Sequence, residues 1–223
     1  GRPNAGKSTL TNALVGDKVA ITSSKPQTTR HTIRGIVHRD DAQLVLVDTP
    51  GVHKPRTLLG ERLNALVQET WAEVDVIGFC VPADEPVGPG DRWIATQLAT
   101  AKRTPKVAIV TKTDLVEHET VGKRLLEVAW AEIVPVSAVA GDQVQLLADL
   151  LVGLLPDGPP LYPEGELTDE PELIMVAELI REAALEGVHD ELPHSIAVVV
   201  DEMVPREGRS ADNLLAGLGV GAV

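Results

Sequence analysis

The sequence predicts an α/β protein, in which a doubly wound, mostly parallel sheet carries helices on both faces and a partial α+β unit follows. Two observations support the sheet. Segments 75–81, 106–111 and 133–136 are almost continuously apolar, which is typical of strands covered on both faces. Segments with helical periodicity alternate with them, and this order favours parallel strands joined by helices. These predicted helices span residues 58–71, 91–101, 121–130 and 142–155.

The region before these strands predicts one helix and one hairpin. Residues 8–15 have helical character, and Gly16 follows as a C-terminal stop. The alternating segments 34–39 and 43–48 flank a turn at Asp40. Because alternation with a period of two marks a half-buried strand, we expect an antiparallel hairpin at the edge of the sheet.

A change of composition divides the chain. Residues 156–171 are rich in proline and carboxylates, which indicates a linker. We therefore predict a nucleotide-binding domain over 1–155 and a partial second domain over 172–223. The second domain opens with a strongly amphipathic helix, 172–185, and 195–200 is a predicted strand.

Charge and cysteine content limit the possible partners and compartments. The net charge is −13, and residues 156–223 hold 3 basic against 15 acidic residues, which argues against that stretch binding a phosphate backbone unaided. A single cysteine, Cys80, excludes an internal disulfide and favours the cytoplasm. No apolar run is long enough to span a membrane, although peripheral membrane contact stays open. Oligomeric state is not determined by the sequence.

The first nine residues fit the phosphate-binding pattern G-x-x-x-x-G-K-[ST]. Glycines let the backbone approach a polyphosphate, and successive amides form an anion site at the start of the following helix. Lys7 is expected to reach the β- and γ-phosphates, and the Ser8 hydroxyl to ligate Mg²⁺. Since such a loop normally follows a buried strand, we expect the full polypeptide to extend further. The predicted phosphate-binding residues are Gly1, Asn4, Ala5, Gly6, Lys7, Ser8 and Thr9.

A second motif predicts the γ-phosphate sensor. Asp48-Thr49-Pro50-Gly51 ends an apolar strand and fits D-x-x-G. Asp48 is expected to act at the Mg²⁺ site, and the Gly51 amide to contact the γ-phosphate. Between the two motifs, Thr29 is the favoured switch residue for Mg²⁺, with Thr28 as the second choice.

A third motif separates GTP from ATP. Thr111-Lys112-Thr113-Asp114 follows the strand 106–111 and is similar to the guanine-binding pattern N-K-x-D, with Thr in place of Asn. Guanine presents two adjacent donors, which one carboxylate at Asp114 can accept together. Ser137 and Ala138 follow the last predicted strand, where the Ala138 amide can meet guanine O6. The order of all these motifs predicts a P-loop GTPase.

Position 52 carries no water-orienting glutamine, because Val52 follows the D-x-x-G motif. Either hydrolysis is slow or another group supplies the orientation and charge. We hypothesise that Asn4 helps to hold K⁺ beside the phosphates. The predicted catalytic residues are Lys7, Thr29, Gly51 and Asn4.

Two other classes of function remain open. The chain could be a nucleotide-gated RNA- or ribosome-binding module with negligible turnover, or a P-loop kinase or ATPase.

The motifs together resemble the Era family of bacterial GTPases. The resemblance rests on the phosphate loop 1–8, the switch stretch 27–31 and the D-T-P-G motif, and it continues through 178–182 and 191–195. It implies a GTP-dependent factor in small ribosomal subunit assembly, with GTP or GDP and Mg²⁺ as ligands and small-subunit ribosomal RNA, not DNA, as partner. It also implies a K-homology domain, whose G-x-x-G loop is absent from these residues. No RNA-contacting residue is therefore assigned.

Overall fold

The predicted hairpin and parallel strands are both present in the computed structural model. Strands β1 (Ile33–His38) and β2 (Gln43–Asp48) pair antiparallel, with Ile33 opposite Asp48. Strands β3 (Ile77–Pro82), β4 (Lys106–Thr111) and β5 (Ile133–Pro135) form a parallel sheet in that order. The structure describes residues 1–25, 28–55, 58–128, 130, 132–187 and 196–204.

The predicted helices are present with small differences at their ends. Helix α3 begins at Pro89 rather than residue 91, because proline is well placed in a first helical turn and Asp91 caps that turn. Helix α1 ends at Gly16, whose φ of 82° lies in the left-handed region that glycine tolerates best. The helices are α1 (Lys7–Val15), α2 (Leu58–Glu73), α3 (Pro89–Leu98), α4 (His118–Val128), α5 (Val144–Val152) and α6 (Glu172–Gly187).

The core has two apolar clusters, one on each face of the parallel sheet. In β4, Val107 and Ile109 belong to the cluster that includes Leu147 of α5, whereas Ala108 belongs to the cluster that includes Ile94 of α3. Because neighbouring strand residues point to opposite faces, this division confirms the doubly wound arrangement.

The hairpin forms a two-stranded sheet of its own. Among the described residues, no strand pairing joins it to β3–β5. A cavity of about 470 Å³ lies between the two sheets, and its lining includes Leu44, Leu46, Val76 and Ile109. The hairpin therefore stands beside the parallel sheet without a shared ladder.

The predicted linker region is partly built into the first unit of the chain, Gly1–Asp169. The Gln43 side chain accepts hydrogen bonds from the amides of Leu161 and Tyr162, at 2.7 and 3.0 Å. The Ile36 amide donates to the Leu167 carbonyl at 2.8 Å. These contacts fix residues 161–167 on the hairpin, while the domain limits 1–155, 156–171 and 172–223 stay a prediction.

The second unit, Glu170–Val223, contains α6. The predicted strand 195–200 is wrong for residues 196–200, which have no strand structure. Their exposure alternates as the sequence pattern implies, but alternation alone does not make a strand, which also requires a ladder of backbone hydrogen bonds. Ser195 and the segment 205–223 lie outside the described residues. No helix in the described part of the chain is long and apolar enough to cross a membrane.

Candidate nucleotide-binding site

The first residues form a tight loop that leads directly into α1. Gly6 precedes the helix with φ 76°, and Asn4 has φ 59°. Both lie in the left-handed region, which turns consecutive amides toward one side of the loop. A Cβ at Gly1 would lie 2.3 Å from the Cys80 carbonyl oxygen, so the loop also requires glycine where it passes β3. This backbone forms an anion site at a helix N-terminus.

Lys7 is held inside this loop. Its Nζ donates to the Arg2 carbonyl at 2.9 Å. Burial lowers the pKa of Lys7, and the nearby Asp48 carboxylate opposes that shift. A half-buried ammonium beside a preformed anion site is suited to bind phosphate oxygens.

Three predicted metal-site oxygens converge next to the loop. The Ser8 hydroxyl donates to Asp48 Oδ2 at 2.5 Å and lies 3.1 Å from the Thr29 hydroxyl. Burial raises the pKa of Asp48, although Lys7 and the bond from Ser8 act in the opposite direction. The second oxygen, Asp48 Oδ1, is buried and accepts no well-aligned hydrogen bond from the described residues.

This oxygen-only donor set is what a hard divalent cation such as Mg²⁺ prefers. The two candidate threonines differ, because the Thr28 hydroxyl donates to the Lys25 carbonyl at 2.8 Å and so is already engaged. Thr29 is the one whose hydroxyl reaches Ser8. The group Ser8, Thr29 and Asp48 therefore fits a magnesium ion.

Gly51 packs directly on the phosphate loop. A Cβ at this position would lie 2.4 Å from the Pro3 backbone nitrogen. The Val52 amide donates to the Gly1 carbonyl at 3.0 Å, and the Val52 side chain is buried in the core cluster that includes Phe79. Position 52 thus faces the core, which explains in physical terms why it carries no polar water-orienting group.

The predicted base-binding residues also meet. The Ser137 hydroxyl donates to Asp114 Oδ1 at 2.6 Å and accepts a bond from the Ala140 amide at 3.0 Å. Asp114 is exposed, whereas Ser137 is fully buried, so the serine fixes the direction of an otherwise accessible carboxylate. Ala138 follows Ser137 and is half-buried.

Thr111 connects the base side to the phosphate side. Its hydroxyl donates to the Ala5 carbonyl at 2.8 Å, and both residues are buried. Because a buried carbonyl is costly to leave unpaired, this bond holds β4 against the phosphate loop. The sequence identified the departure from asparagine but not this contact.

A cavity of about 190 Å³ unites most of the phosphate-side residues. Asn4, Thr29, Gly51 and Lys112 line it together with the loop and the first turn of α1, including Thr9. Asp114, Ser137 and Ala138 do not line this cavity, and Lys112 lies between the two groups. The described residues contain no cluster of three or more histidine, cysteine or acidic side chains that could hold a different metal ion.

Sequence reasoning missed several residues that contact the site. The carbonyl of Arg2 holds Lys7, and Asp84 is paired with Lys112 at 3.1 Å. Arg2 occupies a variable position of the phosphate-loop pattern, and Asp84 lies outside every motif. The available signal for Asp84 was the group of carboxylates between β3 and the first turn of α3, at positions 84, 85 and 91.

Comparison with known proteins identifies the family of this chain. Residues 1–112 match the family described as "50S ribosome-binding GTPase". GTPase Era of Streptomyces coelicolor is 74% identical over 224 residues, which cover 96% of this chain and 71% of that protein. A crystal structure of Era in complex with MgGDPNP and nucleotides 1506–1542 of 16S ribosomal RNA has a TM-score of 0.87 and 35% identity, covering 93% of this chain and 72% of that one. An Aquifex aeolicus Era variant bound to GDP·AlF₄⁻ has a TM-score of 0.86 and 34% identity, covering 92% and 71%.

Proposed function

This chain belongs to the Era family of GTPases, and we propose that it hydrolyses GTP as a switch that acts in small ribosomal subunit assembly by binding small-subunit ribosomal RNA. The observation that carries the proposal is the contact of Ser8 with both Thr29 and Asp48 beside the half-buried Lys7. This contact supports the proposal because three hydroxyl or carboxylate oxygens and one ammonium lie around one loop. Guanine nucleotide, with Mg²⁺, is the corresponding ligand.

On the phosphate side, we propose that the amides of residues 4–8 bind the β-phosphate and that Lys7 leaves the Arg2 carbonyl to bind the β- and γ-phosphates. When bound, Mg²⁺ would neutralise charge on the β- and γ-phosphate oxygens. Ser8 and Thr29 would hold it, with Asp48 nearby. The Gly51 amide would donate to the γ-phosphate, so that loss of this phosphate releases the loop.

On the base side, we propose that Asp114 accepts the N1–H and 2-amino donors of guanine while Ser137 holds its carboxylate in place. The Ala138 amide would donate to O6. Thr111 acts here as a positioning residue through Ala5, because its hydroxyl is engaged in that bond. This arrangement selects guanine over adenine, which lacks the adjacent pair of donors.

We further propose that K⁺ supports hydrolysis in place of a glutamine at position 52. The Asn4 side chain donates from Nδ2 to the Ser24 carbonyl at 2.7 Å, which tethers the phosphate loop to the segment before Thr28. Its Oδ1 is thereby held near that segment and can help to coordinate a monovalent cation. Equal hydrolysis rates in K⁺ and Na⁺ buffers, unchanged by Asn4→Ala, would exclude this role.

The RNA partner follows from the relatives. The wider family is named for the 50S subunit, whereas Era in the solved complex holds a 16S ribosomal RNA segment, and we propose the same class of partner here. The second unit would contribute this contact as part of a K-homology domain. A cytoplasmic location suits such a partner.

One observation favours the second candidate, a nucleotide-gated module with negligible turnover. Val52 is buried, so no side chain at that position can orient the attacking water. Steady-state hydrolysis with and without purified small ribosomal subunits separates the two. Turnover that stays at the buffer rate in both conditions would favour the module.

Direct nucleotide titration tests the central proposal. The wild-type chain is expected to bind labelled GDP and GTP far more tightly than ADP and ATP, and Lys7→Ala to lose both guanine nucleotides. Lys123→Ala is the matched control, because Lys123 forms an exposed pair within α4 with Glu119. Tighter binding of ATP, or unchanged binding by Lys7→Ala, would contradict the proposal.

A further inference from the structure

Three carboxylates between the end of β3 and the first turn of α3 contact both nucleotide-binding loops. We name Asp84, Glu85 and Asp91 the acidic strap. Asp84 and Glu85 lie between β3 and α3, and Asp91 lies in the first turn of α3. None of them belongs to a nucleotide-binding motif of the sequence.

One end of the acidic strap holds the phosphate loop through Arg2. Arg2 Nε donates to Asp91 Oδ1 at 2.8 Å, and Arg2 Nη1 lies 3.0 Å from Glu85 Oε2. The Asp91 side chain is fully buried, and its other oxygen accepts the Gly88 amide at 3.0 Å. Since the Arg2 carbonyl accepts a hydrogen bond from Lys7 Nζ, Arg2 links the acidic strap to the ammonium that is proposed to bind phosphate.

The other end holds the base-binding loop through Lys112. Lys112 Nζ lies 3.1 Å from Asp84 Oδ2, and both side chains are about seven-tenths buried. The lysine stem lies beside Gly6 of the phosphate loop, because a Cβ placed on Gly6 would lie 3.9 Å from Lys112 Cγ. Lys112 has φ 59°, so neighbouring contacts must stabilise its unusual backbone conformation.

The backbone between these two ends is itself fixed. The Ala83 amide donates to the Thr111 carbonyl at 2.8 Å, and Arg124 Nε donates to the Ala83 carbonyl at 3.2 Å. The Val87 amide donates to Glu127 Oε2 at 3.3 Å. Strand β4 and helix α4 therefore anchor the strap on either side of Asp84.

We infer that the acidic strap holds the phosphate loop and the base-binding loop in one fixed relation, and that Asp84 is the positioning residue for Lys112. The inference rests on the proposed guanine site, in which the Lys112 stem would lie along the base and the phosphate loop. Asp84 keeps the ammonium away from the base, so that the aliphatic stem stays extended over Gly6, where base and phosphates meet. With this order present before binding, less side-chain freedom is lost when the nucleotide binds.

Asp84→Asn tests this role, because it removes the charge and preserves the shape. For a partly exposed ion pair we expect the Kd for GDP and for GTP to rise about two- to fivefold. The kcat at saturating GTP should not change, since Asp84 touches no reacting atom. Asp84→Glu should restore the Kd, and Glu119→Gln, which breaks an exposed pair on α4, should leave it unchanged.

A double-mutant cycle distinguishes positioning from a general effect on folding. In a Lys112→Ala background, Asp84→Asn should raise the Kd for GDP by less than about 1.5-fold, because the partner is already absent. An equal rise in both backgrounds, or no rise in the wild-type background, overturns the role of Asp84. Thermal unfolding of each variant without nucleotide identifies any loss of fold. If Asp84→Asn does not fold, the Kd of Asp84→Glu tests the role of Asp84 instead.

The same titrations keep the two proposals apart. If the wild-type chain bound no guanine nucleotide, the proposed function would fail. If Lys112→Ala bound GDP more weakly than wild type while Asp84→Asn matched wild type, only the strap inference would fail.

Discussion

Replacing Gly51 with alanine should weaken GTP binding without an equal effect on GDP. The new Cβ would lie 2.4 Å from the Pro3 nitrogen, whereas ordinary contact begins at 3.4 Å, so the two backbones must separate by about 1.0 Å (3.4 minus 2.4). Gly51 does not have a left-handed φ, so steric contact alone causes the change. The phosphate loop is held by Asp91 and Thr111, and we expect the Gly51 segment to move.

The magnitude follows from the hydrogen bond that this movement removes. An amide that lies about 2.9 Å from a γ-phosphate oxygen would move to about 3.9 Å, beyond hydrogen-bond range. A hydrogen bond to a charged group contributes about 1.5–3 kcal/mol, so the Kd for GTP should rise about 10- to 150-fold. GDP has no γ-phosphate and therefore loses no such bond.

The assay compares the Kd of GDP with that of a non-hydrolysable GTP analogue, in wild type and Gly51→Ala. The ratio of the two values is the readout, because it cancels any general loss of folded protein. Gly122→Ala in α4 is the control, since a Cβ there meets nothing within 4 Å. An unchanged ratio for Gly51→Ala would refute the assigned contact between Gly51 and the γ-phosphate.

Three further predictions concern buried groups of the site. Thr111→Ala should lower the free energy of unfolding by about 1–3 kcal/mol and weaken GDP binding, because it leaves the buried Ala5 carbonyl unpaired. Thr111→Ser keeps the hydroxyl and should retain both the stability and the GDP affinity of wild type. Equal urea-unfolding curves for the two variants would contradict this. Val52→Gln should cost about 1–3 kcal/mol of stability, because the amide enters an apolar cluster, and should not accelerate GTP hydrolysis; faster single-turnover hydrolysis would disprove the buried placement. Burial raises the pKa of Asp48 above its ordinary 3.8, so the nucleotide-free protein gains stability from this group as the pH falls through the raised pKa, while the protonated carboxyl supports Mg²⁺ less well. In GDP titrations with Mg²⁺ or with EDTA, the gain in GDP affinity from Mg²⁺ should therefore shrink as the pH falls toward that value. A gain that stays constant with pH would argue against Asp48.

The sequence identified the elements whose patterns are local. The apolar alternation of 34–39 and 43–48 predicted the hairpin to within one residue, because the period of a half-buried strand is contained in the strand itself. The family and its GTPase activity were likewise identified from the order of the motifs, and close relatives confirm them.

Long-range contacts could not be predicted in the same way. Residues 156–171 have the composition of a linker, yet Gln43 holds the backbone of Leu161 and Tyr162 through three hydrogen bonds. A glutamine at the start of a strand carries no sign of such a partner more than a hundred residues away. The pairing of Asp84 with Lys112 could not be predicted for the same reason, because a charged residue in either position is what an exposed loop would also contain.

Position 111 shows where a motif gives an incomplete answer. The pattern N-K-x-D indicated that threonine lacks the paired donor and acceptor of asparagine. The structure adds that the Thr111 hydroxyl is committed to the Ala5 carbonyl, so its contribution is to hold the loop. Only the packing of β4 against the phosphate loop reveals this role.

The most direct test of the whole account is the base preference of Asp114→Asn. Xanthine keeps the N1–H donor of guanine but has a carbonyl in place of the 2-amino group, and an asparagine amide can pair with both. Wild type should bind GDP at least about 10-fold more tightly than xanthosine diphosphate, because one hydrogen bond to the charged carboxylate, which contributes about 1.5–3 kcal/mol, is replaced by a contact between two acceptors. Asp114→Asn should reverse that order, and a variant that still prefers GDP would contradict the assignment of Asp114 as the residue that reads the base.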